Sequence, residues 1–103
     1  KAGVNFREFA EQSWKLPDNC YDNHYPCIIH GVGLCDEWPF VAYPNKDFSN
    51  SDYSACFEEN MTICVESYIG EVGGKEGIKL EDQFLVTKNG LKQLSSFPYE
   101  YSN

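Results

Sequence analysis

Two runs of β-forming residues, 61–69 and 78–87, constrain the fold of this 103-residue chain more than any other feature. Met61, Ile63 and Val65 alternate through the first, and Ile78, Leu80, Phe84 and Val86 are the apolar positions of the second. Alternation with period two is the mark of a strand, because successive side chains leave opposite faces of a sheet. Between the runs, 70–77 contains Gly73-Gly74 and turns the chain. Asn89-Gly90 then gives a strong hairpin signal that brings 91–94 back against the second run. A helix is predicted over 3–16, with Asn5 as N-cap, Glu8 three residues on, and Phe6, Phe9, Ala10 and Trp14 near helical spacing. Pro17 and Asp18-Asn19 stop it. The class is α+β.

The chemistry concentrates elsewhere, in the stretch Ile29-His30-Gly31-Val32-Gly33-Leu34-Cys35-Asp36-Glu37-Trp38-Pro39. A loop over 18–26 leads into a short strand over 27–30, which delivers one of only two histidines to a glycine-rich segment. Gly31 and Gly33 carry no Cβ and let backbone approach closely. Asp36 and Glu37 bring two carboxylates within a few residues of the imidazole, the raw material of a metal or acid–base site. From 38 to 59 the pattern dissolves, and Pro39 and Pro44 forbid a regular helix, so a loop of about twenty residues is expected. Its aromatics, Trp38, Phe40, Tyr43, Phe48 and Tyr53, fit a lid and an ordinary covering loop about equally. The tail over 95–103 is expected to be loosely held. His24 has no assignable role and reads as a surface residue.

Composition excludes several classes of function. A net charge of −8 with only eight basic residues argues against a nucleic-acid partner. No window has the ~18 apolar residues of a membrane helix, so no membrane partner is expected. Cys20, Cys27, Cys35, Cys56 and Cys64 are odd in number and lack paired spacing, which fits reduced thiols in a cytoplasmic protein, with Cys64 as plain core. The chain begins at Lys1 with no basic-then-apolar leader, and is expected to be one small domain over 1–103 that is a piece of something longer.

Glu66 and Glu81 interrupt the two long strands. Taken singly, each reads as solvent-facing, since burying an unpaired charge is costly. Taken with His30 they make three donors on three strands, a set that suits iron, manganese, cobalt or zinc.

These residues carry a resemblance. His30-Gly-Val-Gly-Leu, Glu66 within a strand, Gly77-Ile-Lys-Leu-Glu81-Asp82 and the strand ending Val86-Thr-Lys-Asn-Gly90 resemble the M24 metallopeptidase-like family, the pita-bread fold of aminopeptidase P, prolidase and creatinase. The likeness runs from about Gly3 to Leu94. It implies an antiparallel curved sheet with an N-terminal helix, the C-terminal half of a pita-bread catalytic domain. It implies His30, Glu66 and Glu81 as metal ligands, with Glu81 bridging two ions, and a homodimer in the full-length protein. The family's remaining aspartate ligands lie upstream of the first helix. Asp18 and Asp22 lie in the wrong place to replace them, so the isolated chain is expected to bind metal weakly and to be inactive.

Where the family's peptidases have a second histidine in a His-Glu-x-Pro segment, this chain has Asp36-Glu37-Trp38-Pro39. An aspartate is a poor mimic of that imidazole and a reasonable general base. The run His-Gly-Val-Gly-Leu-Cys-Asp-Glu-Trp-Pro, with Cys64-Val-Glu66 and Val72-Gly-Gly-Lys-Glu-Gly77, is similar to the dimethylsulfoniopropionate lyase branch of the family. That branch implies β-elimination of a small-molecule substrate, with iron as the first-choice ion, Asp36 as catalytic base and Tyr25 at the substrate. Trp38 offers an aromatic face to a sulfonium cation. The alternatives are an Xaa-Pro metallopeptidase and a non-catalytic remnant of the fold.

Overall fold

The fold is built on the two strands whose alternation dominates the sequence. In the computed structural model, which describes residues 1–44 and 53–100, β3 (Thr62–Gly70) and β4 (Gly77–Val86) pair antiparallel over nine positions, from Thr62↔Leu85 to Gly70↔Gly77. β5 (Leu91–Gln93) returns against β4 through the Asn89-Gly90 turn. On the other side β3 pairs with β1 (Cys27–Val32), and β1 pairs with β2 (Asp36–Ala42). The result is one five-stranded antiparallel sheet in the order β2-β1-β3-β4-β5, accompanied by a short helix α1 (Phe6–Gln12). This is the α+β arrangement expected of part of an M24 fold.

Parity assigns the two faces. Ile29, Val41, Ile63 and Val86 are buried on the face that meets α1 and the 53–57 segment, where they pack with Phe6, Ala10, Tyr53 and Phe57. Each such side chain contributes about 1.5–3 kcal/mol by leaving water. The N-terminus is sewn to this layer by backbone hydrogen bonds from Phe57 N to Val4 O (2.9 Å) and Phe6 N to Ala55 O (3.1 Å). Asn5 caps α1 as expected, accepting from Arg7 N at 2.9 Å and Glu8 N at 3.4 Å.

Several expectations need correction. The helix is seven residues, not fourteen: Ser13 is extended, its hydroxyl and amide both bond Ala10 O, and Trp14 is 57% exposed. The loop expected from residue 38 starts later, because 36–42 is strand β2. Pro39, in a cis Trp38–Pro39 peptide, is tolerated because β2 lies at the sheet edge, where a missing N–H costs no ladder bond. The 18–26 loop contains a 3-10 turn (Asp18–Asn23) tied to the β3–β4 turn by Val72 N to Asn19 O (2.9 Å) and Asn23 Nδ2 to Glu71 O (3.2 Å). The lid-or-loop question falls largely on 45–52, with Phe48, outside the described residues. The tail is better anchored than expected up to Tyr99: Ser95 and Tyr99 both donate to the Asp82 carboxylate.

His24 is not a plain surface residue. Its ring stacks on Tyr21 (4.5 Å between centroids), meets Tyr43 edge-on (5.3 Å), and Nδ1 bonds the Tyr21 carbonyl.

Candidate functional site

The register of the sheet collects the candidate donors. His30 lies opposite Cys64, and Glu66 lies opposite Glu81. Cys64 and Glu66 are two residues apart on β3, so all four side chains leave the same face, the one turned away from α1. His30 is 3% exposed and Glu66 2%, while the Glu81 side chain is 37% exposed. The solvent-facing reading of Glu66 is therefore wrong. His30 and Lys79 cover the Glu66 carboxylate, so the polar-looking side of β3 is not a wet one at this position.

Around His30 the two ring nitrogens have separate duties. Nδ1 lies 3.0 Å from the Gly31 carbonyl and 3.7 Å from Asp36 Oδ1; Nε2 lies 3.1 Å from Glu66 Oε2 and 3.6 Å from Glu81 Oε1. An Nδ1–H donated to a carbonyl fixes the ring so that Nε2 faces the carboxylates, the orientation a metal-binding histidine takes. Burial alone would pull the His30 pKa down, but the Gly31 carbonyl, Asp36 and Glu66 outweigh it and hold it above the usual value. Gly31 is obligatory: a Cβ there would sit 2.1 Å from the Trp38 carbonyl oxygen. Gly33 leaves room for the Glu37 carboxylate, which accepts from Leu34 N at 3.3 Å.

Donors bound to one ion at 2.0–2.2 Å stand roughly 3.0–3.5 Å apart. Nε2 stands 3.1 Å from Glu66 Oε2, within that range, and 3.6 Å from Glu81 Oε1, just beyond it. Among the described residues, the group whose donor atoms all lie within 4.8 Å of one another is His30, Cys64 and Glu81, which leaves out Glu66. Cys64 was expected to be plain core; it is buried, but it belongs to this cluster. Burial, reinforced by Glu81, pushes its thiol up to about 12.

Lys79 was missed altogether. Its ammonium pairs with Glu66 Oε1, lies 3.6 Å from Glu81 Oε2, and sits 5.1 Å from the centroid of the Tyr25 ring. The bond to Glu66 is the main influence raising its pKa. Lys79 and Glu81 are two apart on β4, and that i, i+2 spacing was the available signal.

Tyr25, Asp36 and Trp38 come together as a second group. With Cys27, His30 and Phe40 they line a cleft of about 280 Å³ on the His30 side of β1 and β2. Asp36 is largely exposed, and Trp38 packs on Phe6 at 5.6 Å while remaining 58% exposed. The metal-type donors thus adjoin an acid and two aromatics in an open cleft. Such an arrangement sets a group that can take a proton beside donors of the kind that hold a cation.

The model of metallopeptidase family M24 matches residues 1–88. The chain belongs to that family. Among curated proteins this M24 chain is 46% identical over 100 residues to the dimethylsulfoniopropionate lyase DddP of Roseovarius nubinhibens, and 43% to that of Roseobacter denitrificans; each match covers 97% of the chain. It is 37% identical over 78 residues, 73% of its length, to an Xaa-Pro dipeptidase of Pyrococcus horikoshii. The chain spans about a fifth of the length of these relatives, 22% of each lyase and 18% of the dipeptidase. Among the described residues no helix is long and apolar enough to cross a membrane.

Proposed function

We propose that residues 1–103 form part of the catalytic domain of a metal-dependent carbon–sulfur lyase that cleaves dimethylsulfoniopropionate to dimethyl sulfide and acrylate. The observation that carries this reading is the likeness to two lyases over 97% of the chain, higher in identity and extent than the likeness to the dipeptidase. Asp36 supports it, since a carboxylate beside the donor cluster suits proton abstraction better than protonation of a peptide nitrogen.

In this reading His30, Glu66 and Glu81 hold a divalent ion, iron first, with manganese, cobalt or zinc as alternatives. When bound, that ion supplies Lewis acidity toward the substrate carboxylate. Asp36 takes the proton from the carbon next to the carboxylate. The electron pair of that C–H bond becomes the C=C of acrylate, and the C–S pair leaves with dimethyl sulfide. Tyr25 and Trp38 flank the cleft and offer aromatic faces to the sulfonium, at about 0.5–2 kcal/mol. The protein is read as cytoplasmic and, at full length, homodimeric, acting on a small molecule rather than a nucleic acid or membrane.

The second reading is an Xaa-Pro metallopeptidase, favoured by the dipeptidase relative. The test uses the full-length protein loaded with iron and offered dimethylsulfoniopropionate, with an Xaa-Pro dipeptide in parallel. Chelator-sensitive dimethyl sulfide in the headspace is the expected outcome. Proline release without sulfide would transfer the protein to the hydrolases, and silence in both with no retained metal would make it a remnant. Asp36→Ala is expected to abolish turnover with metal retained, whereas Glu81→Ala is expected to lose the metal. Metal loss in the Asp36 variant would instead make that residue a ligand.

A further inference from the structure

Glu66 and Glu81 stand directly opposite each other on adjacent strands, a placement in which like charges repel. Glu66 is also nearly inaccessible to water, so its carboxylate depends on what the protein puts beside it. The register supplies a cation. Lys79 is two residues before Glu81 on β4, hence on the same face, and its ammonium reaches Glu66 Oε1 and comes within 3.6 Å of Glu81 Oε2. The carboxylate oxygens are divided: Glu66 Oε2 and Glu81 Oε1 face His30 Nε2, while the other two face Lys79. The lysine side chain stays half-exposed, so the ammonium can return to water once an ion takes its place beside the carboxylates.

We propose that Lys79 is a built-in counter-cation for the Glu66–Glu81 pair, holding the two carboxylates together when no divalent ion binds them and weakening their grip on the ion that does. The inference rests on the metal-site reading above. A positive charge shared by two carboxylates lowers the negative potential they offer to an ion, and its removal restores that potential. Stability of the ion-free protein and affinity for the ion then oppose each other through one side chain.

The test takes the full-length protein stripped of metal and titrates it with Co(II) against a chelator of known affinity, reading Tm with and without the ion. Lys79→Met is expected to bind Co(II) about tenfold more tightly. It is also expected to melt lower than wild type without the ion and to gain more in Tm on saturation. Lys79→Arg, which keeps the charge, is expected to stay with wild type, and Lys79→Gln repeats the neutral case. Unchanged or weaker Co(II) affinity in either neutral variant overturns the proposal. Neutral variants that fold only with Co(II) support it; variants that fail to fold with or without Co(II) overturn it, because the lysine is then structural. Glu66→Gln separates the two layers of the argument. If it abolishes Co(II) binding while the Lys79 variants change nothing, Lys79 alone loses its role. If Co(II) binding survives in Glu66→Gln, the metal site as drawn falls, and this proposal with it.

Discussion

At the scale of single residues, the thiols give a direct reading of which face of the sheet is sealed. Cys35 is exposed in the turn between β1 and β2, whereas Cys27 and Cys64 are buried beside Glu66 and Glu81, and both are pushed up to about 12, chiefly by burial. A thiol held in that state is protonated and inert at neutral pH, because the thiolate is the nucleophile. In alkylation at pH 7.5 followed by peptide mapping, Cys35 is expected to be labelled rapidly, and Cys27 and Cys64 only once denaturant is added. Labelling of Cys64 at the rate of Cys35 would show the site face to be open. Glu66 is the residue whose environment was hardest to read. Its neighbours Val65 and Ile63 announce a buried side, which makes the intervening positions look solvated, and nothing local in a single strand says that His30 and Lys79 cover its carboxylate. Its place as one of three donors on three strands, with His30 and Glu81, and then the likeness to a family pointed to it. Lys79 left only a weak mark: a lysine two residues from a glutamate in a strand is an ordinary surface pattern until the partner strand is in place.

Among the elements, β3, β4 and β5 were legible because alternation and an Asn-Gly turn are local signals, and their observed limits fall within a residue or two of those expected. β2 was not, since Pro39 contradicts a strand by every local rule and is admitted only because the strand ends up at an edge. The β1–β2 pair is where backbone geometry and chemistry meet. Its register jumps between His30↔Phe40 and Gly31↔Glu37, an irregularity that carries Asp36 to within 3.7 Å of the His30 ring. Gly31→Ala forces a methyl group against Trp38 carbonyl atoms at 2.1 and 2.5 Å, which cannot move without parting the strands. A loss of about 1–3 kcal/mol is expected in the denaturant midpoint, with the slope unchanged. Wild-type stability in this variant would mean that β2 is free to swing away from β1.

For the molecule as a whole, the sheet separates two tasks: one face packs on α1 and the 53–57 segment, and the other carries the donors. The last described segment closes across β4 through Asp82, which accepts from Ser95 and Tyr99; those hydrogen bonds hold its carboxyl below the usual range. A depressed folded value means that this contribution is present above the unfolded value, near 3.8, and is lost as pH falls through the lower folded one. Amide exchange at Leu94, which donates to Gln83 O at 2.8 Å, is accordingly expected to accelerate as pH falls below that point, after correction for intrinsic rates. Asp82→Asn should remove that acid-dependent step; its persistence would place the cause in another carboxylate. The nine-position ladder between β3 and β4 has a last consequence. It acts as a reading frame, since a slip of one residue would present Val65 or Ser67 to Glu81 and put Glu66 and Glu81 on opposite faces. His30 and Glu66 would keep each other, but Glu81 would be lost from the set. In the metal-site reading proposed above, the fraction of full-length molecules that takes up the ion would therefore count those assembled in frame, and a metal assay would double as an assay of folding fidelity.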